Sequence, residues 1–236
     1  MPLFGLFIDP LYIAFLAPGF LLATYATFKV KSNFAHFSRV RSSNGMTGAQ
    51  VAREILRRNN LNDVSVVETD GMLSDHYDPR SRVVRLSRDV YRNPSIASVA
   101  VAAHEVGHAL QHSRKYAPLG LRTAAVPLAQ IGSWAPWLIM IGGFWFHSPP
   151  LVKIGVVLFS AVVAFQLITL PVEFNASSRA KKQLASLGLI AGNDMGGVNK
   201  VLSAAAMTYV AGALTAVMTL LYYLFRLGLL GGSRDD

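Results

Sequence analysis

The chain contains no cysteine, which excludes disulfides, iron–sulfur clusters and thiolate metal sites. Charge is scarce as well. Only 15% of the 236 residues are Asp, Glu, Lys or Arg, against roughly 25% in a soluble globular domain. With 52% hydrophobic residues and a mean hydropathy of +0.38, an ordinary soluble domain is excluded as an account of the whole chain. Four stretches lack charge entirely: residues 11–28, 123–146, 154–172 and 201–225. Each reaches the roughly 17–25 residues needed to cross a hydrocarbon core, and each is read as a transmembrane helix.

Nothing basic precedes the first run, as it would in a cleaved signal peptide. The basic segment "KVKSNFAHFSRVR" follows it, an order that suits a retained anchor with its N-terminus outside. Residues 29–118 carry 14 Lys and Arg against 8 Asp and Glu, and residues 173–200 carry four against two. The link "HSPPLVK" and the tail "GGSRDD" are poor in basic residues. Basic segments stay in the cytoplasm. The expected order is therefore a span within 1–28, a cytoplasmic subdomain at 29–118, spans at 123–146 and 154–172, a cytoplasmic segment at 173–200, a span at 201–225 and a tail at 226–236. Both termini fall outside. The net charge of +9 is explained by this topology and by anionic lipid. The basic residues are scattered, with no aromatic interleaving and no recognition motif, so nucleic acid is not an expected partner.

Within 29–118, "TGAQVAREILRRNNL" reads as an amphipathic helix with Thr47 as N-cap and Val51, Ile55 and Leu56 on one face. "VSVVETDG" reads as a strand, and "DHYDPRSRVVRLS" as a hairpin-like element around Asp78-Pro79 whose second arm is the strand "RVVRLS". A further helix follows in "RNPSIASVAVAAHEVGHALQH", with Asn93 expected at the N-cap and Pro94 at the first helical position.

That helix carries the chemistry. His104, Glu105 and His108 spell H-E-x-x-H. Positions i and i+4 share one face of a helix, so two imidazoles there can hold one Zn²⁺, with the intervening glutamate placed as general base toward a water on the metal. Gly107 leaves space beside the pair, at a helix-propensity cost of roughly 1 kcal/mol. His112 continues the row, but position 109 is Ala, so a His108/His112 pair would lack the adjacent carboxylate; His112 reads as a helix-end residue or a support for the ligands.

A catalytic zinc takes three protein ligands and keeps one position open. No third histidine follows at metzincin spacing. Glu173, in "LPVEFNASSRAKKQL" at the cytoplasmic end of the third run, is either the missing ligand or an interfacial glutamate paired with Arg179 or Lys181. A carboxylate at the bilayer edge needs such a partner. Pro171 is expected to bend or reset the chain just before it.

Taken together, "AAHEVGHALQH", "LPVEFNASSRAKKQL", "LSDHYDPRSRVVRLS" and "AAAMTYVAGAL" resemble the YugP-type membrane zinc metallopeptidases of bacteria over nearly the whole chain. That family is similar in layout to the HtpX-like membrane gluzincins. The resemblance implies a mostly α integral membrane protein with a small cytoplasmic α+β gluzincin-like domain, one Zn²⁺ held by His104, His108 and Glu173, and Glu105 as catalytic base. It further implies a zinc metallopeptidase of the bacterial cytoplasmic membrane. HtpX-like chains carry E-x-x-A-D, whereas here Ser177 stands at the aspartate position; Asn175 and Ser177 are the two candidates to support the ligands in its place.

The expected substrate is a polypeptide, unfolded or membrane-associated, docked as an extended strand on the edge of "RVVRLS". His76, Tyr77, His112 and Arg179 are candidates to stabilise the oxyanion. An intramembrane cut of the site-2 type is disfavoured, because the apolar stretch before His104 is short and charged residues lie close upstream. Ala204, Thr208, Gly212 and Ala216 recur every four residues and form a small-residue face for packing among the spans or for an oligomeric or accessory partner. A zinc-binding scaffold without turnover is the alternative of another class; it has no need of Glu105.

Overall fold

The computed structural model describes residues 9–132 and 134–229. Residues 1–8 of the first predicted segment, Ser133 and residues 230–236 of the predicted tail lie outside the described residues. The elements in chain order are α1 (Pro10–Phe37), α2 (Gly48–Arg58), β1 (Ser65–Thr69), β2 (His76–Asp78), β3 (Val83–Ser87), α3 (Arg88–Arg92), α4 (Ile96–Ser113), α5 (Ala117–Gly132), α6 (Ala135–Trp145), α7 (Pro149–Ser186) and α8 (Met195–Arg226). The protein is mostly helical with one small sheet, as expected. By length and composition, Pro10–Phe37, Ala117–Trp145, Pro149–Ser186 and Met195–Arg226 are each apolar enough to cross a membrane. The chain divides into two compact units. One comprises Met1–Tyr25, Leu121–Leu170 and Thr208–Asp236; the other comprises Ala26–Gly120 and Pro171–Met207.

In the first unit the apolar side chains face outward as well as inward. Phe20, Leu138 and Val157 are all exposed, which is what a lipid solvent allows. Its interior is aromatic: Tyr222 and Tyr223 pack edge-on against Tyr12 and Trp137, with ring centroids 4.9 Å and 6.1 Å apart. One polar tie stands among them. Asp9 accepts from the Leu11 backbone N–H and from the Tyr222 hydroxyl, each at 2.9 Å, so the residue that caps α1 is held by α8. On the small-residue face of α8, Gly212 lies against Gln166 of α7.

The second unit is built on a three-stranded sheet in the order β1-β3-β2. β1 runs parallel to β3, with Ser65 opposite Val83; β2 runs antiparallel, with Tyr77 opposite Val84. The strand "RVVRLS" is therefore central and both its edges are taken, so it cannot receive a substrate strand. The two outer edges belong to β1 and β2. α2 forms as expected, with a capping box between Thr47 and Gln50. Its Val51, Ile55 and Leu56 are buried with Val84 and Leu86 of β3 and with Val99, Ala102, Ala103 and Val106 of α4; Leu184 of α7 and Val198 and Leu202 of α8 complete this core.

α4 is buried over most of its length, and its alanines let neighbours approach on several sides. Its start differs from expectation. Ser95 is the N-cap, accepting from the Ser98 N–H at 3.1 Å. Asn93 instead donates to the Ser38 carbonyl at 3.0 Å. The Ile96 N–H is bound to the Val40 carbonyl and Ser95 bridges to Arg41, so the chain stays extended through Pro94. The helix stops in a Schellman motif: the Tyr116 N–H returns to the Gln111 carbonyl and the Lys115 N–H to that of His112, with Lys115 at φ 50°. Pro171 does not reset the chain. α7 runs through it from Pro149 to Ser186, because a membrane helix tolerates the one missing N–H when neighbours and local adjustment satisfy the freed carbonyl.

Candidate metal centre

Two elements of the second unit bring the chemistry together. α4 presents His104, Glu105 and His108, and the stretch of α7 after Pro171 presents Glu173. Their closeness is set by a glycine. A Cβ on Gly107 would lie 2.5 Å from the Ala176 carbonyl oxygen and 3.2 Å from its Cα, inside van der Waals contact, so only glycine lets the two backbones meet here.

One ligand atom from each of His104, His108 and Glu173 lies within 4.8 Å of the others. Glu173 Oε2 is 3.2 Å from His104 Nε2 and 3.6 Å from His108 Nε2. The carboxylate is 2% exposed and His108 8%. Their other ring nitrogens are engaged as well: His104 Nδ1 meets Ser177 Oγ at 3.1 Å, and His108 Nδ1 meets Gln111 Oε1 at 3.0 Å. Both Nε2 atoms therefore converge on one carboxylate oxygen. Burial works against a charged His108, yet Glu173 and Glu105 outweigh it and raise its pKa above the ordinary value. The pocket favours positive charge. Two imidazole nitrogens and a carboxylate oxygen, with such a field, match the three-ligand N/O set of a catalytic zinc, so the residues present fit the metal.

Glu105 is buried and takes no protein hydrogen bond among the described residues. Asp75, just ahead of β2, is held by Ser87: its carboxylate accepts from the backbone N–H at 2.7 Å and from the hydroxyl at 3.0 Å. Burial, and then the nearby negative charge of Glu105, raise the Asp75 pKa against those bonds.

The four oxyanion candidates separate. The Tyr77 hydroxyl and His112 Nδ1 meet at 2.8 Å, which ties β2 to the end of α4. His76 is exposed and bonds the Ser74 carbonyl. Arg179 donates to Asn175 Oδ1 at 2.6 Å and lies over the Tyr116 ring. Of the two candidate supports, Ser177 touches His104 directly, and Asn175 reaches His108 only through Gln111. Gln111 was not foreseen. Its signal was its place three residues after His108, on the face the ligands share.

The family described as "Putative neutral zinc metallopeptidase" matches residues 12–228. A curated relative, "Putative membrane protease YugP" of Bacillus subtilis (strain 168), is 54% identical over 202 residues, covering 86% of this chain and 90% of that protein. No solved structure matches. A match over nearly the full length, coinciding with a His-His-Glu cluster and four apolar helices, leads to one conclusion: this chain is a membrane protein belonging to the neutral zinc metallopeptidase family.

Proposed function

We propose that the protein is a zinc-dependent endopeptidase of the bacterial cytoplasmic membrane that cuts polypeptides at the cytoplasmic face. The observation that carries this reading is the convergence of His104, His108 and Glu173 beside Glu105. Zinc held by those three would supply Lewis acidity toward a water and toward the scissile carbonyl. Glu105 accepts a proton from the attacking water and returns it to the leaving amine; free of protein hydrogen bonds among the described residues, it has both lone-pair faces to offer. Of the oxyanion candidates, Tyr77 and His112 are favoured because each holds the other in place.

The free edge of β2 receives the substrate. β2 pairs with β3 on one side and reaches α4 through Tyr77, so an extended segment pairing along its open side would run beside the motif helix. Main-chain pairing of this kind suits unfolded or membrane-associated polypeptides, since it asks little of the side chains. The cytoplasmic placement rests on the basic residues of 29–118 and 173–200.

The test is direct. Detergent-purified protein is assayed for bound metal and for cleavage of an unfolded protein, beside Glu105→Gln. Zinc in both, with cleavage in the wild type alone, is the expected result. Zinc in both with equal cleavage, or with none, would sink the protease reading and favour a scaffold.

A further inference from the structure

The reading above accounts for the ligands but not for Gln111, a fully buried glutamine on the motif helix. Burying an amide is costly unless all its hydrogen-bonding capacity is used. Here it is used in a fixed direction. The Gln111 amide nitrogen donates to the Val172 carbonyl at 2.7 Å and to Asn175 Oδ1 at 3.1 Å. A backbone carbonyl accepts only, so the nitrogen must point there. Asn175 is oriented in turn by Arg179, a donor only, which reaches the same Oδ1 at 2.6 Å. With its nitrogen committed, Gln111 turns its oxygen to His108 Nδ1 at 3.0 Å. An oxygen acceptor requires a proton on Nδ1. In a neutral imidazole the lone pair then lies on Nε2, the atom that faces Glu173.

We infer that Gln111 is a positioning residue that holds His108 as its Nδ1–H tautomer, with the polarity of the relay set from Arg179 through Asn175. The inference rests on the metal reading above and extends it. Asn175 belongs to the relay as an acceptor, so its amide nitrogen is dispensable. His104 is served differently: its Nδ1 meets a serine hydroxyl, which can donate or accept and fixes no tautomer by itself.

The test compares wild type, Gln111→Met, Asn175→Asp and His108→Ala, each purified in detergent and checked for helicity by circular dichroism. Zn²⁺ affinity is measured by competition with a chromophoric chelator, and the His108 tautomer by nitrogen-15 NMR of the metal-free protein at a pH high enough for the imidazole to be neutral. Gln111→Met matches the side chain in length and removes the acceptor. Its affinity is expected to fall about 10- to 100-fold, with loss of the Nδ1–H signature and unchanged helicity. Asn175→Asp keeps the acceptor and is expected to stay within about threefold of wild type, a margin well inside the effect of losing a ligand's support. A Gln111→Met protein that binds zinc as wild type does, or keeps the same tautomer signature, overturns the inference while the metal reading stands. A wild type that takes no more zinc than His108→Ala overturns both. Should Gln111→Met lose helicity, Gln111→Glu decides. It keeps an acceptor for Nδ1 but sets its second oxygen against two acceptors, so weakened zinc binding supports the relay and wild-type binding overturns it.

Discussion

The two units solve opposite packing problems. In the unit that holds His104, the apolar side chains of α2, β3 and α4 form a buried core, even though Met72 and Phe28 lie open, and His104 and His108 are reached by hydrogen bonds from Ser177 and, through Asn175 and Gln111, from Arg179. In the unit rich in apolar helices, large side chains such as Phe20 and Val157 lie open, and the polar contact that stands out is the tie among Asp9, Leu11 and Tyr222. The difference shows where close fit matters. Where water is the solvent, burial drives the fold and nearly all buried polar groups have to be answered. Where lipid is the solvent, outward apolar surface has no such role, and helix contacts depend on packing and a few polar ties.

The sharpest way to break the comparison is at Gly107. Gly107→Ala puts a methyl into the Ala176 carbonyl and forces α4 and α7 apart; zinc binding and proteolysis should both be lost, as read by metal analysis and cleavage of an unfolded protein. Glu105→Gln should leave the metal in place and lower kcat by about 10²- to 10⁴-fold, which steady-state kinetics will show. A paired truncation then weighs the two units against each other. Leu86→Ala, at a site with no exposure, should cost about 2–5 kcal/mol. Val157→Ala, 70% exposed, should change stability by less than about 0.5 kcal/mol. Thermal unfolding in detergent ranks them. The smallest effect of a removed partner is expected at Tyr222→Phe, which deletes the hydroxyl bond to Asp9 and should cost about 1 kcal/mol in the same measurement. If Val157→Ala proves as harmful as Leu86→Ala, the contrast between the units is wrong.

Much of this architecture could be read from residue patterns. Uncharged runs gave the four apolar helices, and the valine-bearing stretches "VSVVETDG" and "RVVRLS" beside turn residues gave β1 and β3. H-E-x-x-H placed two of the clustered groups on one helix face. Other features depend on which element meets which, and periodicity does not report that. The central position of β3 follows from pairing across the sheet. The shift of the α4 cap from Asn93 to Ser95 follows from strand-like bonds to Val40 and Arg41. The continuation of α7 through Pro171 follows from its surroundings rather than from proline's own preference. The need for glycine at 107 and the use of Gln111 become visible only when α4 lies against α7.

His104 and Glu173 stand 69 positions apart in the chain. An ion shared between them would close that loop as a covalent cross-link does, in a sequence that has no thiols to make one. Binding to the folded form alone would add about 2.7 kcal/mol at a free metal concentration one hundred times its dissociation constant. The ion that serves the chemistry would then also be a fastening between the α4 and α7 helices, and a chelator would loosen the fold as well as silence the site.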